Sequence, residues 1–258
     1  MTCYLFDVDN TLTPPREKMD SAFTFFFLNW MESRSVYFVG GSDYKKIFQQ
    51  IPASIINRCD GVFCSMANEL LCGEEHIYKN EWLLPDELEE DLMKIVEDSA
   101  YGFKKGRHIE QRVGMVNFSI AGRNSNCSNR QKYNQWDSLC NEREFVVEFI
   151  EKKYPEIEAK IGGQISIDIF PKGNDKSQAS KWIRQNVSDD IVFIGDQCDP
   201  TGNDFAIYRE VLLRGGNAHK VNSFNETREI LEKEYQNEKD RHGNKFYRAT
   251  FGASGRGR

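Results

Sequence analysis

With 258 residues, 39% hydrophobic and 12% aromatic, the chain holds enough apolar material for a main domain and a smaller one, which excludes a disordered chain. A formal net charge of −6 argues against nucleic acid as the main partner. The chain enters an apolar run without a basic-then-apolar leader and contains no run of membrane-spanning length, so a cytoplasmic protein with no membrane association is expected.

The first predicted element is a strand over Tyr4–Val8, with Asp7 and Asp9 at its end and Thr11 beyond. Residues two apart on a strand point to one side, so both carboxylates can face one substrate. Acids at a strand end suggest a site at the carboxyl edge of a parallel sheet, where one carboxylate can attack while the other moves protons. Taken alone, the pair also fits a strand end with solvated acids. Residues 16–33 carry Met19, Phe23, Phe26, Phe27 and Trp30 at helical spacing, a core stripe rather than a ligand box. A strand at Val36–Val39 leads through Gly40-Gly41-Ser42-Asp43 into a helix over Tyr44–Ile51, for which Ser42 and Asp43 are good N-caps. That turn lets backbone N–H groups and Ser42 hold a phosphate. A strand at Gly61–Cys64 follows. Seven cysteines, odd in number and without a CxxC pair, form neither a disulfide framework nor a zinc cluster, and Cys59 and Cys64 read as small core residues.

From about Lys79 to Phe170 the texture changes. Glu87–Asp98 reads as a charged amphipathic helix, RVGMVNFSIAG (112–122) as an alternating strand, Glu142–Lys153 as a helix, and GGQISIDIF (162–170) as a second alternating strand. Alternation implies a half-exposed antiparallel sheet, hence an α+β module inserted into an α/β parallel-sheet domain that resumes near Pro171. The expected division is 1–78 and 172–235 for the core, 79–171 for the insert, and 236–258 for a polar, disordered tail ending in GASGRGR. FPKGNDKS (170–177) supplies Lys176, whose ammonium can neutralise a nucleophile and a phosphoryl oxygen together. A last strand at Ile191–Ile194 runs into Gly195-Asp196 and on to Asn203-Asp204; acids at a strand end can hold Mg²⁺.

In this order, the segments resemble the haloacid dehalogenase superfamily, whose DxDxT signature is met by Asp7-Val8-Asp9-Asn10-Thr11. The resemblance implies that Asp7 attacks phosphorus to form an aspartyl phosphate and that Asp9 is the general acid/base. It also implies that Ser42 and Lys176 complete the catalytic set, and that Mg²⁺ sits on Asp7, the Asp9 carbonyl and Asp196. RVGMVNFSIAGR, NSNCSNR and GGQISIDIFPKGNDK, with TPPR and GGSDYKKI, narrow the resemblance to eukaryotic-type phosphomannomutases, from residue 3 to about 230. By matching position, substrate contacts are implied at Arg16, Arg112, Arg123, Arg130, Ser166 and Asp168. A possible second cation site is implied at Tyr208 and Glu210, with Leu213 where only a backbone carbonyl is offered.

Arginines on the inserted module would grip one phosphate while Asp7 meets the other, so a hexose bisphosphate could be accepted in either orientation. The resemblance implies a Mg²⁺-dependent mutase interconverting mannose 6-phosphate and mannose 1-phosphate. A hexose 1,6-bisphosphate is its activator, its product feeds GDP-mannose synthesis, and it is a homodimer through the cap. A sugar-phosphate phosphatase of the same superfamily is the alternative. Asn10 departs from the family's Gly, Asn174 from its Trp, Gln111 from its aromatic, and Gln197-Cys198-Asp199-Pro200-Thr201 from KTxPG. Asn tolerates left-handed angles, so the turn at Asn10 is expected to persist.

Overall fold

One strand with two buried faces organises the larger part of the molecule. The computed structural model describes residues 1–251, with side chains as far as residue 237. β1 (Cys3–Phe6) is buried throughout, and its side chains divide with the two-residue period of a strand: Tyr4 and Phe6 enter one apolar cluster, Cys3 and Leu5 the cluster on the opposite face.

The chain then forms α1 (Ser21–Trp30), β2 (Ser35–Val39), α2 (Tyr44–Gln50), α3 (Ala53–Ile56), β3 (Gly61–Cys64), β4 (Glu69–Cys72) and β5 (Glu75–Lys79). Next come α4 (Asp86–Asp98), β6 (Ile109–Arg112), β7 (Met115–Phe118), α5 (Cys127–Cys140), α6 (Glu142–Lys153), β8 (Ile157–Gly162) and β9 (Ser166–Pro171). The last elements are α7 (Ser177–Asn186), β10 (Ile191–Gly195), α8 (Phe205–Leu213), β11 (Asn217–Lys220) and α9 (Phe224–Phe251). The first sheet has the order β11-β10-β1-β2-β3-β4-β5, parallel from β11 to β3 and closed by the antiparallel β4–β5 hairpin. A second sheet, β6-β7-β9-β8, is antiparallel throughout. The fold is α/β, with the second sheet and its helices inserted as a cap. Successive strands leave β1 on opposite sides, so the crevice at its carboxyl end is the switch point where such sheets place ligands.

Helices and strands are set by local chemistry. Asp20 accepts a hydrogen bond from the Phe23 N–H and starts α1, while Asp43 does the same for Lys46 and starts α2. α1 lays Phe23, Phe27 and Trp30 against the sheet, with the Phe27 ring 5.3 Å from Phe6 and 5.5 Å from Trp30. A separate cluster of Leu88, Leu92, Phe118, Tyr133, Ile150 and Ile167 fills the space between the second sheet and its helices.

Several sequence expectations change. The first strand ends at Phe6, so Asp7 and Asp9 lie just past its tip and not on it; they share a cavity because the chain turns there, with Asn10 at φ 62°. Residues 112–122 are not one strand: β6 stops at Arg112 and turns at Gly114, whose φ is 64° and whose missing side chain lets Asn68 approach to 2.6 Å of the Cβ position. Residues 162–170 likewise begin as the end of β8 and turn before β9. The β4–β5 hairpin, α5, β8 and β11 escape the pattern reading. α5 buries Arg130, Tyr133 and Asp137, a mixed face without an apolar stripe. The expected tail from residue 236 is helical as far as Phe251, and the GASGRGR end at 252–258 lies outside the described residues. Among the described residues no helix is long and apolar enough to cross a membrane.

Phe27→Ala, at a fully buried site, is expected to cost about 3–5 kcal/mol, read as a lowered urea midpoint at unchanged slope.

Candidate active site

The tip of β1 carries more negative charge than the protein neutralises. Asp7 is held there by its own N–H, donated to the Ile194 carbonyl of β10 at 2.9 Å. Lys176, just before α7, reaches it from the next parallel connection. Its Nζ donates to Asp7 Oδ1 and to Asp204 Oδ1, both at 2.6 Å, and is itself 1% exposed. Thr11 donates to Asp7 Oδ2 at 3.2 Å. Asp196, at the end of β10, completes a cluster in which one carboxylate oxygen each of Asp7, Asp196 and Asp204 lie within 4.8 Å of one another. Three carboxylates share one ammonium. Burial first, then the neighbouring Asp204 charge, raise Asp7 well above the usual carboxylate range, and the same two causes push Asp196 up to about 6. Burial opposes the charge on Lys176, yet Asp204 and Asp7 outweigh it and hold the lysine above its usual range.

Two side-chain amides set the direction of Asp196. Asn10 Nδ2 and Gln197 Nε2 both donate to its Oδ2, at 2.9 and 3.0 Å, which leaves Oδ1 for another partner. The left-handed turn at Asn10 is what brings that amide over. Asp9 accepts at Oδ1 from Gln50 Nε2 at 2.7 Å and from the Arg16 N–H at 2.9 Å, so its carboxylate lies beside the cluster and outside it.

The opposite wall comes from the second sheet and is cationic. Glu110 and Arg112, two apart on β6, share one side of the strand. Glu110 accepts from Arg112 Nε at 2.9 Å, from Arg123 Nε at 3.1 Å, and from Lys46 of α2. Burial acts to raise Glu110, but those cations hold it far below the usual carboxylate range. Burial and the neighbouring guanidiniums pull Arg123 and Arg130 down to about 10, and burial foremost also lowers Arg16. Four arginines, Arg16, Arg112, Arg123 and Arg130, outnumber the two carboxylates beside them, Glu110 and Asp9, and leave this end positive. Arg123 Nη1 is buried and has no acceptor among the described residues.

The second sheet is seated on the first. Ile161 N–H donates to the Thr201 carbonyl at 3.0 Å, Arg112 donates to the Gly41 carbonyl, and Asp168 accepts from Asn117 at 2.6 Å and from Asn203 at 3.1 Å. A Cβ on Gly41 would stand 2.9 Å from Asp168 Oδ2, so the phosphate-loop glycine is also a contact surface for the cap.

Between the two walls lies a cavity of about 250 Å³. It is lined by Asp7, Asp9, Arg16, Ser42, Arg112, Arg123, Arg130, Ser166, Asp168, Lys176 and Asp196, every site residue expected from the sequence except the three of the second cation site. Those three lie elsewhere: Tyr208 packs against the apolar cluster of the sheet, Glu210 faces Arg184 at 3.4 Å and Arg214 at 4.0 Å, and Leu213 ends α8 with its side chain exposed. Neither guanidinium makes a hydrogen bond to Glu210, whose Oε2 is buried and without a hydrogen-bond partner among the described residues. The polar positions of the alternating cap strands, Asn117, Ser166 and Asp168, are buried toward the cavity, which corrects the expectation of a half-exposed sheet. Residue order shows the Asn203-Asp204 pair but does not place Asp204 in the acid cluster, and it does not reveal the amides of Asn10 and Gln197, which matter only through Asp196. Glu110 was legible as a period-two neighbour of Arg112.

A carboxylate whose folded value lies near 6 and whose unfolded value lies near 4 weakens the fold as pH rises between the two, because only the unfolded chain releases its proton. With divalent cations chelated, Asp196→Asn should therefore gain about 2 kcal/mol over the parent between pH 4 and pH 6.5 and hold level above it, read by thermal unfolding.

The family model described as eukaryotic phosphomannomutase matches residues 24–237. A protein of Triticum aestivum named phosphomannomutase is 33% identical over 233 residues, 86% of this chain and 91% of its own. Among solved structures, the IMP-bound IMP-nucleotidase of Plasmodium falciparum superposes with a TM-score of 0.61 at 15% identity, covering 90% of this chain and 67% of that one. A haloacid dehalogenase-like hydrolase of Bacteroides thetaiotaomicron gives 0.53 at 12% identity, covering 90% and 98%. At such identities these two speak for the fold alone. With a matched segment that spans most of its length and a relative at one third identity, the chain belongs to the eukaryotic phosphomannomutase family.

Proposed function

We propose that this chain interconverts mannose 6-phosphate and mannose 1-phosphate through a hexose 1,6-bisphosphate, with Asp7 as the phosphoryl carrier and mannose 1-phosphate as a supply for GDP-mannose synthesis. The observation that carries this reading is one cavity with an acidic end at Asp7 and a cationic end at Arg16, Arg112, Arg123 and Arg130. A bisphosphorylated sugar presents one phosphate to each end, and reversing it exchanges them.

In the half-reaction that makes the bisphosphate, the free hydroxyl of the hexose phosphate attacks phosphorus on phosphorylated Asp7. The bond from phosphorus to the Asp7 oxygen breaks, and Asp9 takes the hydroxyl proton. After reorientation, Asp7 attacks the other phosphate, and Asp9 returns the proton to the departing sugar oxygen. Lys176 keeps the Asp7 carboxylate in place and screens the approach of one anion to another. Gln50 and the Arg16 N–H hold Asp9 next to that path. The unmatched carboxylates fit a hard dication with oxygen ligands. Asp7, Asp196 and the Asp9 carbonyl would hold Mg²⁺, which supplies charge neutralisation at the phosphoryl group. The seated cap supports transfer to sugar over transfer to water, because a closed lid keeps water from the phosphorylated carboxylate.

The cap exposes Leu139, Phe145 and Phe149 to solvent, which supports a homodimer through that surface. The free state of all seven cysteines suits a reducing cytoplasm.

Incubation of mannose 1-phosphate with a trace of glucose 1,6-bisphosphate should give mannose 6-phosphate by ³¹P NMR; release of free phosphate without isomerisation would refute the mutase and leave a phosphatase. Asp7→Asn should lower turnover by at least about a thousandfold, since the carrier atom is lost. Asn10→Gly, which glycine's backbone accommodates at φ 62°, should weaken Mn²⁺ binding about 10–100-fold by electron paramagnetic resonance at unchanged melting temperature. Phe145→Asp should convert the dimer to monomer in light scattering.

A further inference from the structure

The cationic end of the cavity contains a thiol that the reaction does not use. Cys127 is the first residue of α5 and lines the cavity. It is the exposed cysteine of the seven: Cys3, Cys64 and Cys198 are buried, and Cys59, Cys72 and Cys140 are half-buried. Arg130 lies three residues further along the same helix, hence on the same face. Arg16 and Arg130 are both close enough to feel a charge on the sulfur. A second observation points independently to an anion at this place. Arg123, with its side chain only 5% exposed, lines the same cavity and has a buried Nη1 without an acceptor among the described residues, a donor that a small anion can take. Burial protects four of the other thiols: it pushes Cys3 and Cys59 up to about 12 and also raises Cys64 and Cys198.

We propose that Cys127 is a modification site for small electrophiles and peroxide, steered to anionic reagents by Arg16, Arg123 and Arg130 and shielded when an anion occupies that end. The proposal goes beyond the mutase reading and needs no turnover. With iodoacetate, the sulfur forms a bond to the methylene carbon, the carbon–iodine bond breaks, iodide leaves, and the thiol proton passes to solvent. The added carboxylate then stands among the guanidiniums and occupies the place of a phosphate. With hydrogen peroxide, the sulfur takes one oxygen as the O–O bond breaks; the thiol is oxidised to a sulfenic acid, and the peroxide is reduced to water.

The test treats the full chain with a limiting amount of iodoacetate or of iodoacetamide, with and without inorganic phosphate, and locates the label by peptide mass mapping. Cys127 is expected to be labelled first, at least about fivefold faster by iodoacetate than by iodoacetamide, with phosphate slowing the reaction. Unfolded chain provides the reference, where that preference should vanish. Cys127→Ser should keep its own starting activity through iodoacetate or peroxide treatment that silences the parent. First labelling at another cysteine, equal rates for the two reagents, or labelling undiminished by phosphate would each overturn the proposal. The mass readout reports on Cys127 whether or not the chain isomerises mannose phosphates, so the two readings fail separately.

Discussion

The structure depends on a buried imbalance of charge at the tip of β1. Lys176 spans Asp7 and Asp204 at 2.6 Å each, and Asp196 adds a third carboxylate that, among the described residues, has no hydrogen bond from a cation. Removing such groups from water is costly unless each finds a partner, and the cost grows when like charges are left together. The core bears it because three parallel strands and the turn after β1 bring these side chains to one edge, and the aromatic packing of Phe6, Phe27, Phe38 and Trp30 behind them fixes the strand tips. Strain in electrostatics at the site is thus balanced by apolar burial away from it.

The cap answers with the opposite excess. Its arginines surround one carboxylate, Glu110, which also accepts from Lys46 of the core. A single acid therefore orients two guanidiniums and ties the lid to the sheet that carries Asp7. Asp168 performs a related task on the neutral side, joined at once to Asn117 of its own sheet and Asn203 of the other. A ligand with phosphates at both ends relieves both imbalances together, which gives the cavity a preference that neither wall has alone. Two departures of this chain from its family pattern fall at the acidic end: Asn10 and Gln197 both turn amides onto the same oxygen of Asp196, where a glycine in place of Asn10 would offer no side chain. Together they leave the other oxygen of Asp196 free of these amides.

Much of this was legible from residue order. Parallel strands at 36–39, 61–64 and 191–194 could be read because buried strands are continuous apolar runs, and α1 because Phe23, Phe27 and Trp30 repeat with the helical period. The cap strands were legible as alternating but wrongly divided at Gly114 and Gly163, since a tight turn inside an alternating run does not interrupt its period. α5 was illegible: its inward face is built of Arg130, Tyr133 and Asp137, whose burial depends on partners supplied by other segments.

By itself, the sequence determined the fold class through residue type, spacing and periodicity along the chain, while the acids, the lysine and the arginines of the lid were indicated by the resemblance of their motifs to a family. Only the tertiary structure decided that Asp204 joins the acid cluster, that Asn10 and Gln197 share one oxygen of Asp196, that Arg184 stands 3.4 Å from Glu210, and that Cys127 faces the arginine end. The physical reason is common to all four. Each is a relation between side chains brought together by folding, and the strength of a charge or hydrogen bond depends on distance and burial, neither of which a linear order specifies.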